Sequence, residues 1–195
     1  MRVTKEKAAE NRARILAAAA RLFRERGLSG VGVDALGEAA GMTHGSLYSQ
    51  FGSKESLAAE ALTEALARSA GKAVLEDAAP GEGALRGFVA RYLSARHRDE
   101  PGQGCALAAL GCEIPRQPPV VRRAFTEGLQ ATVERIARLL PAGGRRRARE
   151  EEALAVTAAL VGALVLARAV DDPALSERIL AATRNRMAED MPDSA

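Results

Sequence analysis

The chain has 195 residues, 47% hydrophobic and 27% charged, with 28 Lys and Arg against 25 Asp and Glu for a net charge of +3. That is a globular composition, which excludes a disordered or fibrous chain. Aromatics are only 3%, there is no Trp, and Ala, Leu and Arg dominate, which argues against an all-β fold.

The segment from Met1 to Asn11 is charged with no apolar run behind it, so no secretory signal is expected, and two cysteines, too few for a disulfide framework, fit a reducing cytoplasm. The first thirty residues carry eight basic side chains (Arg2, Lys5, Lys7, Arg12, Arg14, Arg21, Arg24, Arg26) against three acidic ones (Glu6, Glu10, Glu25). This surplus fits an end that faces a polyanion, and it equally fits a solvated helix face. From Lys5 to Arg26, apolar Ile15, Leu16, Ala19, Leu22 and Phe23 form one stripe of a 3.6-residue period, with Gly27 as the stop. A second helix is expected over Val33 to Ala40, with Gly32 at its N-cap and Gly41 ending it. Thr43 then caps a third, His44 to Phe51. Helix, glycine-containing turn, helix is the sequence form of a helix-turn-helix. Ser53 caps a long helix from Lys54 to about Leu75, broken by the Pro- and Gly-bearing segment from Asp77 to Gly83. Further helices are expected at Ala84 to Arg96, Cys105 to Ile114, Pro119 to Leu140, Arg147 to Val170 and Pro173 to Glu189. The fold class is therefore all-α, with about nine helices and no strand.

The third helix carries the chemistry. Leu47 and Phe51, four residues apart, share a face and should pack inward. His44, Ser46, Ser49 and Gln50 then point elsewhere, and all can hydrogen-bond to base edges, Gln to adenine in bidentate fashion. The second helix of a helix-turn-helix presents such residues to the major groove. Gly45 costs about 1 kcal/mol of helix propensity relative to Ala and lets a backbone come close to phosphate. Lys54 meets the positive end of its helix dipole, an unfavourable placement that an approaching phosphate reverses.

Residues 40 to 57 read AGMTHGSLYSQFGSKESL, after a first helix containing NRARILAAAARLFRERG. Over residues 10 to 65 this resembles the DNA-binding domain of TetR/AcrR-type (tetracycline-repressor-like) transcriptional regulators. Phe23, Gly27, Ala40, Gly41, Gly45, Leu47, Tyr48, Phe51, Ser53, Lys54 and Glu55 fall on the family pattern. The resemblance implies a DNA-binding domain over 1–53, a connecting helix over 54–77, and an effector-binding and dimerisation domain over 78–195. It implies phosphate contacts from Tyr48 and Lys54, joined by Thr43; a packed aromatic and a surface lysine are the plainer readings of the first two. It also implies a repressor released from a pseudo-palindromic operator by a small molecule. Two departures weaken the expected phosphate grip: Gly32 stands where the family usually has Thr, and His44 where Lys is common, so a fixed charge is missing. The alternative is a ligand-binding dimer that no longer uses its reading head.

In the second half, the run from Ala153 to Ala167 is apolar all the way round, so it should be buried on both sides, against its own subunit and a partner. A homodimer through 147–170 and 173–189 follows. The run is 15 residues, about 22 Å as helix against a hydrocarbon core of about 30 Å, too short for a bilayer. Candidate lining for an effector pocket is Phe88, Tyr92, Leu107, Leu110, Cys112, Phe125, Leu129 and Val161, a set that a plain core would also contain. Cys105 and Cys112 are placed two turns apart on one helical face, too far for a disulfide and without the spacing of a zinc site. The Gly-Cys at 104–105 resembles a subset of TetR-type regulators that sense oxidants or electrophiles; a small buried hydrophobe is the plainer reading of Cys105. His97, among Arg96, Arg98, Asp99 and Glu100, reads as a solvated helix end. With no Gly-x-Ser-x-Gly elbow, P-loop or dinucleotide fingerprint, neither an enzyme nor a cofactor or metal is expected.

Overall fold

The structure is a computed structural model that describes residues 5–68, 83–140 and 146–189. Among the described residues it has ten α-helices, two short 3-10 turns and no strand, one helix more than expected. Helix α1 (Lys5–Arg26) buries Ile15, Ala19, Leu22 and Phe23, and stops where Gly27 turns to φ +78° with its N–H returned to the Phe23 carbonyl at 2.8 Å. That conformation disfavours any residue with a Cβ. Helix α2 (Val33–Ala40) ends at Gly41, also left-handed, and α3 (His44–Phe51) opens at Thr43, whose hydroxyl oxygen accepts the Ser46 N–H at 3.3 Å. Ser53 does the same for α4 (Lys54–Arg68), accepting the Ser56 N–H at 3.0 Å. The expected extension of α4 to Leu75 lies outside the described residues, as does all of the 77–83 break except Gly83.

Two expected helices are divided. Over 84–96 there are α5 (Ala84–Tyr92) and α6 (Ala95–Asp99), because Ser94 leaves the helical region and its hydroxyl accepts the His97 N–H at 3.2 Å, starting a new helix. Over 105–114 the helix α7 covers only Ala106–Leu110, and a 3-10 turn follows at Ile114–Arg116. Pro115 lacks the N–H that a continuous helix would bond, and its ring would press on the carbonyl four residues back. Helix α8 (Pro119–Leu139) and helix α10 (Pro173–Glu189) both carry Pro at the first helical position. Asp172 caps α10 by accepting the N–H groups of Ala174 and Leu175 at 2.8 and 3.1 Å.

Helix α1 packs on α2 and α4, and α3 closes the three-helix head through Leu47 and Phe51. Helix α4 then lies along α8, α8 against α9 (Arg146–Ala169), and α9 against α10. The α4–α8 contact is close: a Cβ on Gly128 would stand 2.2 Å from Leu66 Cδ1, and Arg135 donates to the Leu66 carbonyl at 3.2 Å. The apolar run 153–167 belongs to α9, whose 24 residues make it longer than the run alone, and by length and composition α9 is long and apolar enough to cross a membrane. Among the described residues it is packed along one side only. Ala153, Leu160 and Leu164 are fully buried, whereas Leu154 and Leu166 stand 47% and 56% exposed on the other side.

Candidate nucleic-acid interface and a buried polar cluster

Leu47 and Phe51 are buried, as their spacing implies, with Leu47 beside Gly37 of α2, so the rest of α3 faces outward. Thr43, His44, Gly45, Tyr48 and Ser49 are exposed; Ser46, Gln50 and Lys54 are half-buried. Tyr48 and Lys54 line one shallow cleft with Val33, Leu47, Ser53 and Leu57, so the two side chains assigned to phosphate share a surface between α3 and α4. A Cβ on Gly45 would meet no atom within 4 Å. Packing inside the chain therefore does not require this glycine. The His44 ring stacks on Tyr48 with centroids 5.1 Å apart, and its Nδ1 lies 2.8 Å from Oδ1 of Asp34 on α2.

Gln50 is arranged differently from the expectation of an outward amide. Its Nε2 donates to Ser46 Oγ at 3.2 Å, and its Oε1 is buried without a hydrogen-bond partner. Ser49 donates to the Ser46 carbonyl at 2.9 Å while remaining exposed.

The basic surplus of the first thirty residues is partly consumed within the fold. Arg12 donates to the Gln50 carbonyl at 2.8 Å, pairs with the Glu60 carboxylate, and sits 4.2 Å over the Phe51 ring. Arg14 donates to the Ala40 carbonyl at 2.8 Å, capping α2, and Arg24 reaches the Gly102 carbonyl at 2.9 Å. These three tie elements together. Composition alone carried no sign of it, because an arginine in an amphipathic helix reads the same whether its head meets solvent or a carbonyl.

A second polar cluster lies in the core region. His97 is buried, not solvated: Nδ1 donates to the Tyr92 carbonyl at 2.7 Å and Nε2 accepts the Cys105 N–H at 2.8 Å. Charged neighbours in sequence gave the opposite impression, but Ser94 turns the short α6 so that His97 faces inward while Arg98 does not. Arg168 of α9 closes the cluster, donating to the carbonyls of His97 and Arg98 at 2.6 and 3.0 Å. Burial holds the His97 pKa below the ordinary 6.5, and Arg168 adds to this, against the Tyr92 carbonyl contact. Burial likewise lifts the Tyr92 phenol well above its ordinary value of 10.0, reinforced by Cys105 beside it. The Tyr92 hydroxyl is buried without a hydrogen-bond partner of good geometry among the described residues.

Of the residues proposed for an effector pocket, Phe88, Tyr92, Leu107 and Leu110 are buried, with the Phe88 and Tyr92 rings 5.7 Å apart. Phe125, Leu129 and Val161 are half-buried against the same core. Cys112 is exposed and Cys105 buried. The two do not share a helical face, because α7 ends at Leu110 and leaves Cys105 before the helix and Cys112 after it. Among the described residues no group of His, Cys, Asp and Glu is placed to hold a metal ion.

Comparison with known proteins agrees with this architecture. The family described as bacterial regulatory proteins, tetR family, matches residues 15–61, and the tetracyclin repressor-like C-terminal domain matches residues 81–183. No curated protein matches the sequence. Among solved structures, the reduced form of Escherichia coli NemR is 22% identical with a TM-score of 0.74, covering 95% of this chain and 100% of that one. A TetR-family regulator from Cytophaga hutchinsonii is 20% identical with a TM-score of 0.75, over 100% of both chains. SCO4454, a TetR-family regulator from Streptomyces coelicolor, is 24% identical with a TM-score of 0.68, over 95% of this chain and 97% of that one. The two family matches span the three-helix head and most of the helical core, and the chain accordingly belongs to the TetR family of transcriptional regulators.

Proposed function

We propose that the protein is a cytoplasmic homodimeric repressor, with a reading head over 1–53, a connecting helix from 54 and an effector and dimerisation core from 78 onward. The observation that carries the DNA-binding part is the outward face of α3: exposed Thr43, His44, Gly45, Tyr48 and Ser49 beside Lys54 at the first position of α4. Tyr48, Lys54 and Thr43 grip phosphate and set orientation, whereas His44, Ser46 and Ser49 reach base edges; Gln50 joins them after turning its amide outward. Support for the dimer comes from α9, whose outer side shows Leu154, Ala155, Ala158, Ala159, Leu166 and Ala169, continued by Leu175 on α10. An effector that prefers one packing of the core shifts α4 through its contact with α8, changing operator affinity by its differential binding, about 1–3 kcal/mol in typical cases.

Fluorescence-anisotropy titration against DNA from the gene's own upstream region, at several salt concentrations, tests the reading. Binding should be steep in salt. Lys54→Ala should weaken it and lower the salt slope of the dimer by about two, one for each protomer, and Tyr48→Ala should weaken it with the slope nearly kept. Absent or salt-insensitive binding by an intact dimer would instead favour a ligand-binding protein that no longer uses its reading head.

The effector class follows from Cys105. It is buried beside Tyr92, and its backbone N–H donates to His97 Nε2, so a change at this sulfur would be felt directly by the buried cluster of the core. NemR, a fold relative, is described in a reduced form. The expected effector is therefore an oxidant or electrophile. N-Ethylmaleimide should release wild-type protein from DNA and leave Cys105→Ser bound; equal release of both would exclude this cysteine.

A further inference from the structure

The geometry points to Asp34 as the residue that sets the hydrogen-bond polarity of His44, making the reading head select an amino-bearing base, adenine or cytosine, where His44 meets the major groove. The inference rests on the DNA-binding reading above and adds a residue on α2 that does not itself need to touch DNA.

A neutral imidazole has one donor nitrogen and one acceptor, and its partners decide which is which. His44 Nδ1 is 2.8 Å from Asp34 Oδ1. A carboxylate only accepts, so Nδ1 carries the proton and Nε2 keeps its lone pair. Nε2 has no partner among the described residues. The ring is also fixed in direction, stacked on Tyr48 with planes 23° apart. Asp34 thus fixes the tautomer while Tyr48 fixes the orientation.

His44 is the first residue of α3, and the N-terminal residues of a recognition helix are the ones that reach base edges. An outward acceptor there meets the N6 amino group of adenine or the N4 amino group of cytosine. It is mismatched to guanine and thymine, whose major-groove edges offer acceptors. Asp34 also argues against a backbone role for the ring. Its side chain is 93% exposed, and a carboxylate hydrogen-bonded to the imidazole is repelled by phosphate but tolerated over a base edge. A lysine at position 44 would offer only donors, so the departure from the family pattern becomes a change in what is read.

Two readouts test this, both at pH 8. The first is the nitrogen NMR spectrum of the free protein, which contains only two histidines, with the His44 signals assigned from His44→Ala. The expected wild-type ring is protonated at Nδ1, and Asp34→Ala should lose that pattern. The second is in-vitro selection of DNA sites by wild type, Asp34→Ala and His44→Ala. The expected result is one symmetric pair of positions at which wild type prefers adenine or cytosine about three- to tenfold, a preference both variants lose while the other positions stay the same. A purely structural role for Asp34 would lower affinity evenly across sites and leave the selected sequence unchanged, which overturns the inference. So does a wild-type ring protonated at Nε2. A folded wild-type dimer that selects no sequence would overturn the regulator reading as well, which separates that failure from a failure of Asp34 alone.

Discussion

At the scale of single residues, the same side-chain type does opposite jobs within a few positions. Arg12 is spent on Glu60 and the end of α3, Arg14 on the end of α2 and Arg24 on the loop before Cys105, whereas Lys54 is held in a cleft facing outward. The two histidines divide the same way. His44 is exposed on α3, and His97 is buried with both ring nitrogens bonded. The buried one makes stability depend on pH. Its folded pKa lies below the ordinary 6.5, so below about that pH the unfolded chain binds a proton that the folded chain does not. The stability is therefore fully present above the unfolded pKa and is lost as pH falls from there through the folded one. Thermal melts should be flat in this respect above pH 7 and fall as the pH drops below about 6.5, and His97→Gln should flatten that fall. His97→Ala leaves the Cys105 N–H and the Tyr92 carbonyl without partners and should cost on the order of 2–4 kcal/mol by chemical denaturation. A variant as stable as wild type would show that water replaces the ring.

At the scale of elements, helix existence was legible in the sequence and helix interruption was not. The stripe in α1, the glycines at 27 and 41 and the oxygen caps at Thr43 and Ser53 are local signals, and α1, α2 and α3 lie where those signals put them. Ser94 lies inside 84–96, a span whose sequence reads as one helix. Its capping role depends on the chain leaving the helical region there, which the packing of His97 decides. The inward-facing residues of α3 were readable from a four-residue spacing, but Asp34 was not, because α2 and α3 are brought together only by the turn. The α4–α8 contact was equally hidden. Gly128 sits mid-helix, at a cost in propensity, so that Leu66 can seat where a Cβ would be. Gly128→Ala should destabilise the protein by about 1–3 kcal/mol through overpacking, despite better helix propensity. It should also displace α4, so operator affinity should change more than for a Gly→Ala control such as Gly87 of α5, where a Cβ would meet only the end of the Arg91 side chain. A stabilised Gly128→Ala with unchanged binding would remove this contact from the coupling route.

At the scale of the whole molecule, one demand remains in each chain: α9 has a buried side and an apolar side that no described residue covers. Leu154 and Leu166 stand 47% and 56% exposed there, with Leu175 of α10 at 40%. Small residues lie between them, and Gly162 faces open space, so a second helix can approach closely. A two-fold axis through this face would cover both copies at once. It would also raise operator affinity, since two heads joined at half-sites about 34 Å apart bind the second half-site as an intramolecular step. Leu166→Glu tests the argument with little risk to the fold, because an exposed position usually costs within about 0.5 kcal/mol. In a dimer the substitution would bury two carboxylates near the axis without partners. Sedimentation velocity should then show a monomer with wild-type helix content, and operator affinity should fall about a hundredfold or more while salt dependence per head persists. A Leu166→Glu protein that still sediments as a dimer would place the interface on another face of the bundle and leave the outer side of α9 for a different partner.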